Sequence, residues 1–311
     1  MLRSNMTINE QLKLLFVINP ISGGKQNQDW ETEIQNRFSN SPHQITLHIL
    51  NGKNDETEIK ENIDNHKPDK VIAVGGDGTI KMVAEQLLNT TITLGIVPAG
   101  SANGMARELG IPVDLNEAIE VINNGVLKNI DVIMINDKEI SIHLSDIGLN
   151  ALLIKHYDKN EGRGMWGYTK AIFRVLSEKR YMLVEITTTD DHIVRSAYMV
   201  VVANSRTYGT GAIINPEGDL YDGKFELVII RKLSVWELLK MVITHKPFDP
   251  DKIEIIQAQQ VTISTRHHAY FQVDGEYRGK VKGLNAKILP ASLRVMLPAN
   301  KPQEKALLNY I

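Results

Sequence analysis

The 311-residue sequence contains no cysteine, which excludes disulfides, thiolate nucleophiles and sulfur-ligated metals and fits a cytoplasmic protein. No apolar run reaches membrane-spanning length, and Met1 to Gln11 is polar, without the apolar region of a secretion signal. Any contact with a membrane would therefore be made from outside the bilayer, by peripheral association. A charge excess of one sign is missing too: the formal net charge is −2, so no global field argues for nucleic acid. The nine histidines lack metal-ligand spacing, and His267-His268 reads as surface. No Gly-Lys-Ser/Thr follows a glycine-rich loop, so there is no Walker A sequence. Gly162-Arg163-Gly164-Met165-Trp166-Gly167 formally matches a dinucleotide fingerprint. Charged Lys155 to Glu161 precedes it where a strand is required, and the match is rejected.

What is present begins with Val71 to Val74, an apolar run without a polar break, as expected for a strand covered on both faces of a parallel sheet. It enters Gly75-Gly76-Asp77-Gly78-Thr79, whose glycines let backbone N–H groups approach a ligand. A helix starting near Thr79, capped by its hydroxyl, would aim free N–H groups at the same place and create an anion site. Asp77 is out of character there unless it binds metal, orients water or accepts a proton. Alternatively, the pentapeptide is a glycine-rich turn with Asp as a turn former.

Length predicts about two domains, divided here as residues 1–133 and 134–299, with a tail, 300–311, that could pack back on the first. In the first, strands at Leu12–Ile18, Ile45–Leu50, Val71–Val74 and Ile92–Val97 alternate with helical runs at Gln26–Phe38, Glu56–Ile63, Ile80–Leu88 and Met105–Leu109. That order predicts βαβ units and a Rossmann-like parallel sheet. Three glycine-rich loops follow three of its strands, so they gather at the carboxyl edge where ligands bind. Beyond about Asp131, short apolar runs separated by Asp190-Asp191, Asp222-Gly223 and Asp274-Gly275 predict a β-rich sandwich or flattened barrel. Helical runs at Trp166–Ser177 and Val235–Thr244 interrupt it; the first carries aromatic and basic residues and reads as core with a solvated rim or as a membrane-facing helix.

Asn19-Pro20-Ile21-Ser22-Gly23, Gly75 to Thr79, and Pro98-Ala99-Gly100-Ser101-Ala102-Asn103 with Ala106-Arg107 together resemble the diacylglycerol kinase catalytic-domain family, which includes sphingosine kinases and bacterial lipid kinases. The resemblance continues through Val202-Ala203-Asn204, Tyr208-Gly209, Asp219 to Gly223 and Val273-Asp274-Gly275-Glu276. It implies an ATP-binding α/β domain of NAD kinase/diacylglycerol kinase type, a β-sandwich domain and a cleft between them. By position, Asn19, Pro20, Ser22, Gly23, Gly75, Gly76, Asp77, Gly78, Thr79, Ser101, Asn103 and Glu276 would hold the nucleotide. Asp219 and Asp222, with the Lys224 carbonyl, would bind Mg²⁺, whereas spacing alone favours a β-hairpin there. The segment with Asp274 and Glu276 would supply the base that deprotonates the lipid hydroxyl, with Asp77 as the competing candidate. The implied reaction is phosphorylation of a lipid hydroxyl by ATP, with diacylglycerol, giving phosphatidic acid, as leading substrate. Sphingoid-base kinase, NAD kinase-like enzyme and catalytically weak regulator are the alternatives, and homodimerisation is left open. Lys81, Met82 and Gly104 depart from the family pattern, which often has Asn-Glu at the first two and Asp at the third.

Overall fold

The computed structural model describes residues 11–24, 29–152, 181–207, 213–232 and 249–299. The expected helices at Trp166–Ser177 and Val235–Thr244, the rejected Gly162–Gly167 match, Tyr208-Gly209 and the tail 300–311 lie outside the described residues. The chain forms two compact units. The first runs to Ala106 and takes in Gly110–Lys128 and the stretch from Leu293; the second holds Arg107–Leu109 and Asn129–Ser292.

Unit one is built from β1 (Lys13–Ile18), α1 (Trp30–Phe38), β2 (Gln44–Ile49), α2 (Asp55–His66), β3 (Lys70–Gly75), α3 (Asp77–Leu87), β4 (Thr93–Pro98), the first residues of α4 (Gly104–Glu108) and α5 (Leu115–Asn124). The strands run parallel in the order β2-β1-β3-β4. β1, β3 and β4 are buried almost end to end, which is why their sequences read as unbroken apolar runs. In α1, Trp30, Ile34 and Phe38 recur every four residues and pack on Phe16, Ile72 and Val74, while Asp29 caps the helix through Thr32 N at 3.0 Å. From β1 the chain steps to β2 on one side and then crosses to β3 on the other. The order therefore reverses between β1 and β3, and the loops leaving their carboxyl ends open a crevice.

α5 was not expected, although Asp114 with Glu117 three residues on, before Ala118-Ile119 and Val121-Ile122, is a readable start signal. The Asp114 carboxylate accepts from Asn116 N and Glu117 N, and the apolar face packs beneath the sheet.

The chain passes to the second unit within β5 (Val126–Ile135), where Ile133 and Ile135 already belong to the second core. Described strands there are β6 (Glu139–Ser141), β7 (Leu144–Gly148), β8 (Met182–Thr188), β9 (His192–Ala197), β10 (Met199–Ala203), β11 (Phe225–Ile230), β12 (Ile253–Ala258), β13 (Gln260–Val273) and β14 (Glu276–Leu297). β13 joins two antiparallel groups: its first half pairs with β8, and its end pairs with β7, followed by β10, β11 and β12. Val184, Ile186, Val202, Phe225, Leu227, Ile263 and Phe271 fill the core.

Several boundaries differ from expectation. The run Ile140–Ile147 is broken at Ile142-His143, because their N–H groups leave the ladder for a carboxylate described below. Val261–Thr265 and Tyr270–Val273 are one strand, because the polar interval Arg266-His267-His268 is a bulge. β12 and most of β14 were not expected; β14 carries Lys280, Lys282, Lys287 and two glycines, which hide its alternation.

Asp146 on β7 is wholly buried and accepts hydrogen bonds from Ala151 N (3.0 Å), Asn150 Nδ2 (2.6 Å) and Gln272 Nε2. Burial outweighs these donors and pushes its carboxyl up from 3.8 to about 6. A raised folded-state pKa favours folding at low pH, and that contribution is lost as pH rises through about 6. Asp146→Asn removes the titration. Its stability relative to wild type, from urea unfolding, is expected to improve by about 2 kcal/mol between pH 4.5 and 7.5. A difference that stays flat with pH would show that Asp146 does not titrate in this way.

Candidate active site

The three glycine-rich loops of unit one leave the ends of β1, β3 and β4 and touch one another. Gly23, at φ 66°, lies so close to the third loop that a Cβ on it would meet the Ala99 carbonyl oxygen at 2.5 Å. A Cβ on Gly100 would stand 2.5 Å from Gly76 Cα and 2.8 Å from Asn103 Oδ1. Only glycine allows this backbone-to-backbone approach.

Polar side chains stitch the loops. Asn19 N donates to Val74 O at 2.9 Å, tying the first loop to β3. Asn19 Nδ2 donates to Thr79 Oγ1 at 3.2 Å, and Asn19 Oδ1 accepts from Ile21 N. The Thr79 hydroxyl therefore holds the first loop and does not cap α3, contrary to expectation. The helix starts two residues earlier, at Asp77, with Gly76 as N-cap and no capping side chain. Its positive end is thus open to an anion.

Asp77 has a structural use that its sequence setting did not reveal. One carboxylate oxygen accepts from Gly104 N at 3.0 Å and the other from Met105 N at 2.9 Å, so Asp77 caps the start of α4 and binds the second loop to the third. Asn103, buried and at φ 50°, accepts from Gly100 N at 2.8 Å and closes the third loop on itself. Pro20, Gly78 and Ser101 are exposed, and Ser22 is half-buried. Asn19, Pro20, Ser22, Gly23, Gly75 to Thr79, Ser101 and Asn103 are thus all on the adjoining loops, at the end of β3 or in the first turn of α3. Of the departures from the family pattern, Lys81 is buried within α3, and Gly104 contributes its N–H to Asp77.

The remaining candidates lie in unit two. Asp274-Gly275 is a two-residue hairpin turn between β13 and β14, with φ 48° and 86°. Asp274 Oδ1 accepts from Ser141 Oγ (2.8 Å), His143 N (3.0 Å) and Leu144 N (3.1 Å), and Oδ2 from Ile142 N (2.9 Å). The carboxylate is therefore held in one orientation by the break between β6 and β7. Glu276 is half-exposed and pairs with Arg278 at 2.6 Å, which also grips Glu139 at 3.0 Å.

Asp219 and Asp222 occupy an exposed turn before β11, each closing an Asx turn: Asp219 Oδ1 accepts from Tyr221 N and Asp222 Oδ1 from Lys224 N. Burial and then the charges of Asp219 and Glu108 push the Tyr221 phenol up. Burial first, with smaller contributions from Asp222 and Glu217, raises Glu226. This negative field and an all-oxygen donor set suit a hard cation. Among the described residues no group of three or more acidic or histidine side chains forms a metal cluster, so such an ion would need the backbone and water to complete its shell.

Sequence reasoning missed the residue that anchors this turn. Asp131 is buried and accepts from Gly223 N at 2.6 Å and Ala291 N at 2.7 Å, while Asn204 Nδ2 donates to the Asp131 and Ile142 carbonyls. The available signal was an Asp in an otherwise apolar strand, Ile130-Asp131-Val132-Ile133.

Residues 13–135 match the diacylglycerol kinase catalytic domain, and residues 146–297 match the YegS C-terminal NAD kinase beta sandwich-like domain. A "Probable lipid kinase YegS" of Escherichia fergusonii is 30% identical over 242 residues, covering 75% of this chain and 79% of its own. The chain belongs to the diacylglycerol kinase family. A relative in Bacillus subtilis named diacylglycerol kinase is 26% identical over 300 residues, 93% of this chain and 97% of its own. The family fold is also that of a diacylglycerol kinase crystal structure from Bacillus anthracis, with TM-score 0.70 at 22% identity over 92% of this chain and 97% of that one. An NAD kinase from Archaeoglobus fulgidus, solved with ATP, shares the fold more distantly, at TM-score 0.54 and 11% identity over 96% of each chain.

Proposed function

We propose that this family member transfers the γ-phosphoryl group of ATP to a primary hydroxyl of a lipid, with diacylglycerol the leading acceptor and phosphatidic acid the product. The observation that carries the reading is the contact of three glycine-rich loops around the uncapped N-terminus of α3. Phosphoryl transfer asks a protein chiefly to position and neutralise a polyphosphate, and converging backbone N–H groups at a helix start supply that. Asn19, Pro20, Ser22, Gly23, Gly75, Gly76, Gly78, Thr79, Ser101 and Asn103 form the nucleotide cradle in this reading, and Asp77 fixes the second loop against the third. Asp219, Asp222 and the Lys224 carbonyl would hold Mg²⁺, which when bound offsets negative charge on the phosphates. Asp274, already oriented by four donors, is the proposed acceptor of the lipid hydroxyl proton. Glu276 extends the nucleotide site.

The test is transfer of labelled phosphate from Mg-ATP to lipid in mixed micelles containing diacylglycerol, monoacylglycerol or a sphingoid base, with NAD as a control acceptor. The expected outcome is labelled phosphatidic acid, no NADP, and loss of turnover on chelation of Mg²⁺. Labelling of NAD alone, or ATP binding without turnover on any lipid, would overturn the reading.

A further inference from the structure

Unit two contains a cavity of about 750 Å³ whose lining includes the apolar Leu149, Leu152, Met182 and Leu183. Its lining also holds the basic Arg266, His267, His268 and Lys280 and the aromatic Tyr181, Tyr198 and Tyr270, with no carboxylate among the described lining residues. The backbone places these groups there. Between the pairs Ser264↔Gly283 and Ala269↔Val281, β13 advances five residues and β14 two, so three surplus residues swell out of the ladder. A bulge re-aims side chains, and here it presents three successive basic residues that a regular strand would send to alternate faces. Lys280 lies over the Tyr270 ring at 4.6 Å, and Tyr181 and Tyr198 stack at 4.2 Å between centroids.

The rim is apolar. Tyr181 is 60% exposed and Leu183 51%, and Val194 on the neighbouring strand is 49% exposed. Leu183 and Val194 share the outer face of the β8-β9 pair. The acid on that face, Glu185, is engaged by His192 at 3.3 Å and Ser264 at 3.4 Å.

A recess whose described lining combines Arg266 and Lys280 with an aromatic wall, and which has exposed apolar residues beside it, has the chemistry of the membrane interface: anion outside, hydrocarbon beneath. We propose that this cavity receives the phosphate headgroup of an anionic membrane phospholipid and docks the protein on the bilayer through Tyr181, Leu183 and Val194. The inference rests on the lipid kinase reading only in supposing that the protein must meet a membrane. A soluble polyanion fits less well, because it would leave the apolar rim in water.

The test is sedimentation of the full chain with vesicles of equal parts phosphatidylcholine and phosphatidylglycerol, and with pure phosphatidylcholine, without ATP. Binding to the anionic vesicles and much weaker binding to the neutral ones is expected, with the difference shrinking as salt rises. Each cation near an anionic surface contributes about 1 kcal/mol, so Arg266→Ala with Lys280→Ala should weaken binding roughly 25-fold. Leu183→Ser should remove part of the salt-resistant remainder. These exposed substitutions should leave the melting temperature and turnover on detergent-dispersed diacylglycerol unchanged. Equal binding to both vesicles, wild-type binding by the double variant, or displacement from vesicles by a single-stranded oligonucleotide at unchanged ionic strength would overturn the proposal. Vesicle binding that behaves as expected in a protein without lipid turnover would support docking and sink only the kinase reading.

Discussion

Gly100→Ala should reduce lipid phosphorylation by about 100-fold while leaving a folded protein. The added Cβ would stand 2.5 Å from Gly76 Cα, where backbone faces backbone and no flexible side chain can yield. The third loop must then move away from the second by about 1 Å, and a misplacement of that size typically costs about 10²-fold in rate. Overpacking of this kind removes about 1 to 3 kcal/mol of stability, less than a domain commonly has in reserve. Steady-state kinetics with ATP varied, beside a thermal melt, separates the effects. Turnover within a few-fold of wild type would mean that the loop contact does not define the nucleotide site.

The second large effect is at Asp274. Alanine there strips the acceptor from Ser141 Oγ and from three backbone N–H groups, at about 1 to 3 kcal/mol for each donor left buried and unsatisfied. It also places a side chain that tolerates positive φ less well at φ 48°. A loss of at least about 4 kcal/mol is expected, enough to leave unit two partly unfolded. Asparagine keeps the oxygen that serves three of the four donors and accepts the same backbone geometry, so Asp274→Asn should fold. Its turnover should nevertheless fall by about 10² to 10⁴, the usual contribution of a positioned base. Circular dichroism and urea unfolding of both variants, set against their turnover, make the distinction. If Asp274→Asn is active, Asp274 organises the hairpin and the proton goes elsewhere, with Asp77→Asn the next variant to measure.

Much of this architecture is legible in the sequence wherever burial is two-sided and local. Leu14 to Ile18, Val71 to Val74 and Leu94 to Val97 are apolar because both faces are covered, and their glycine-rich exits mark the carboxyl edge. Most of β14 was illegible for the opposite reason: half of its residues face outward, so lysines and glycines interrupt the pattern before Leu293. Site residues divide in the same way. Glycine spacing located the loops, but it could not show that Asp77 reaches 27 residues ahead to Gly104 N or that Asp274 reaches 133 back to Ser141. A carboxylate's partners over such separations are decided by tertiary packing, which periodicity does not encode. Asp77 and Asp274 attracted attention as chemistry, and each also proves to tie distant backbone together.

The end of β14 carries a consequence for how the molecule is made. Val295 pairs with Leu94, and a Cβ on Gly125 would collide with the Leu297 carbonyl, so the first unit includes a segment that leaves the ribosome long after β4. Until then, the β4 edge lacks this neighbour and is open to pairing with other chains. Synthesis at about 5 to 20 residues per second makes that interval roughly 10 to 40 seconds. A nascent chain stalled before Leu293 should therefore retain the β2-β1-β3-β4 core yet remain sensitive to protease, and full protection should arrive only with the end of β14.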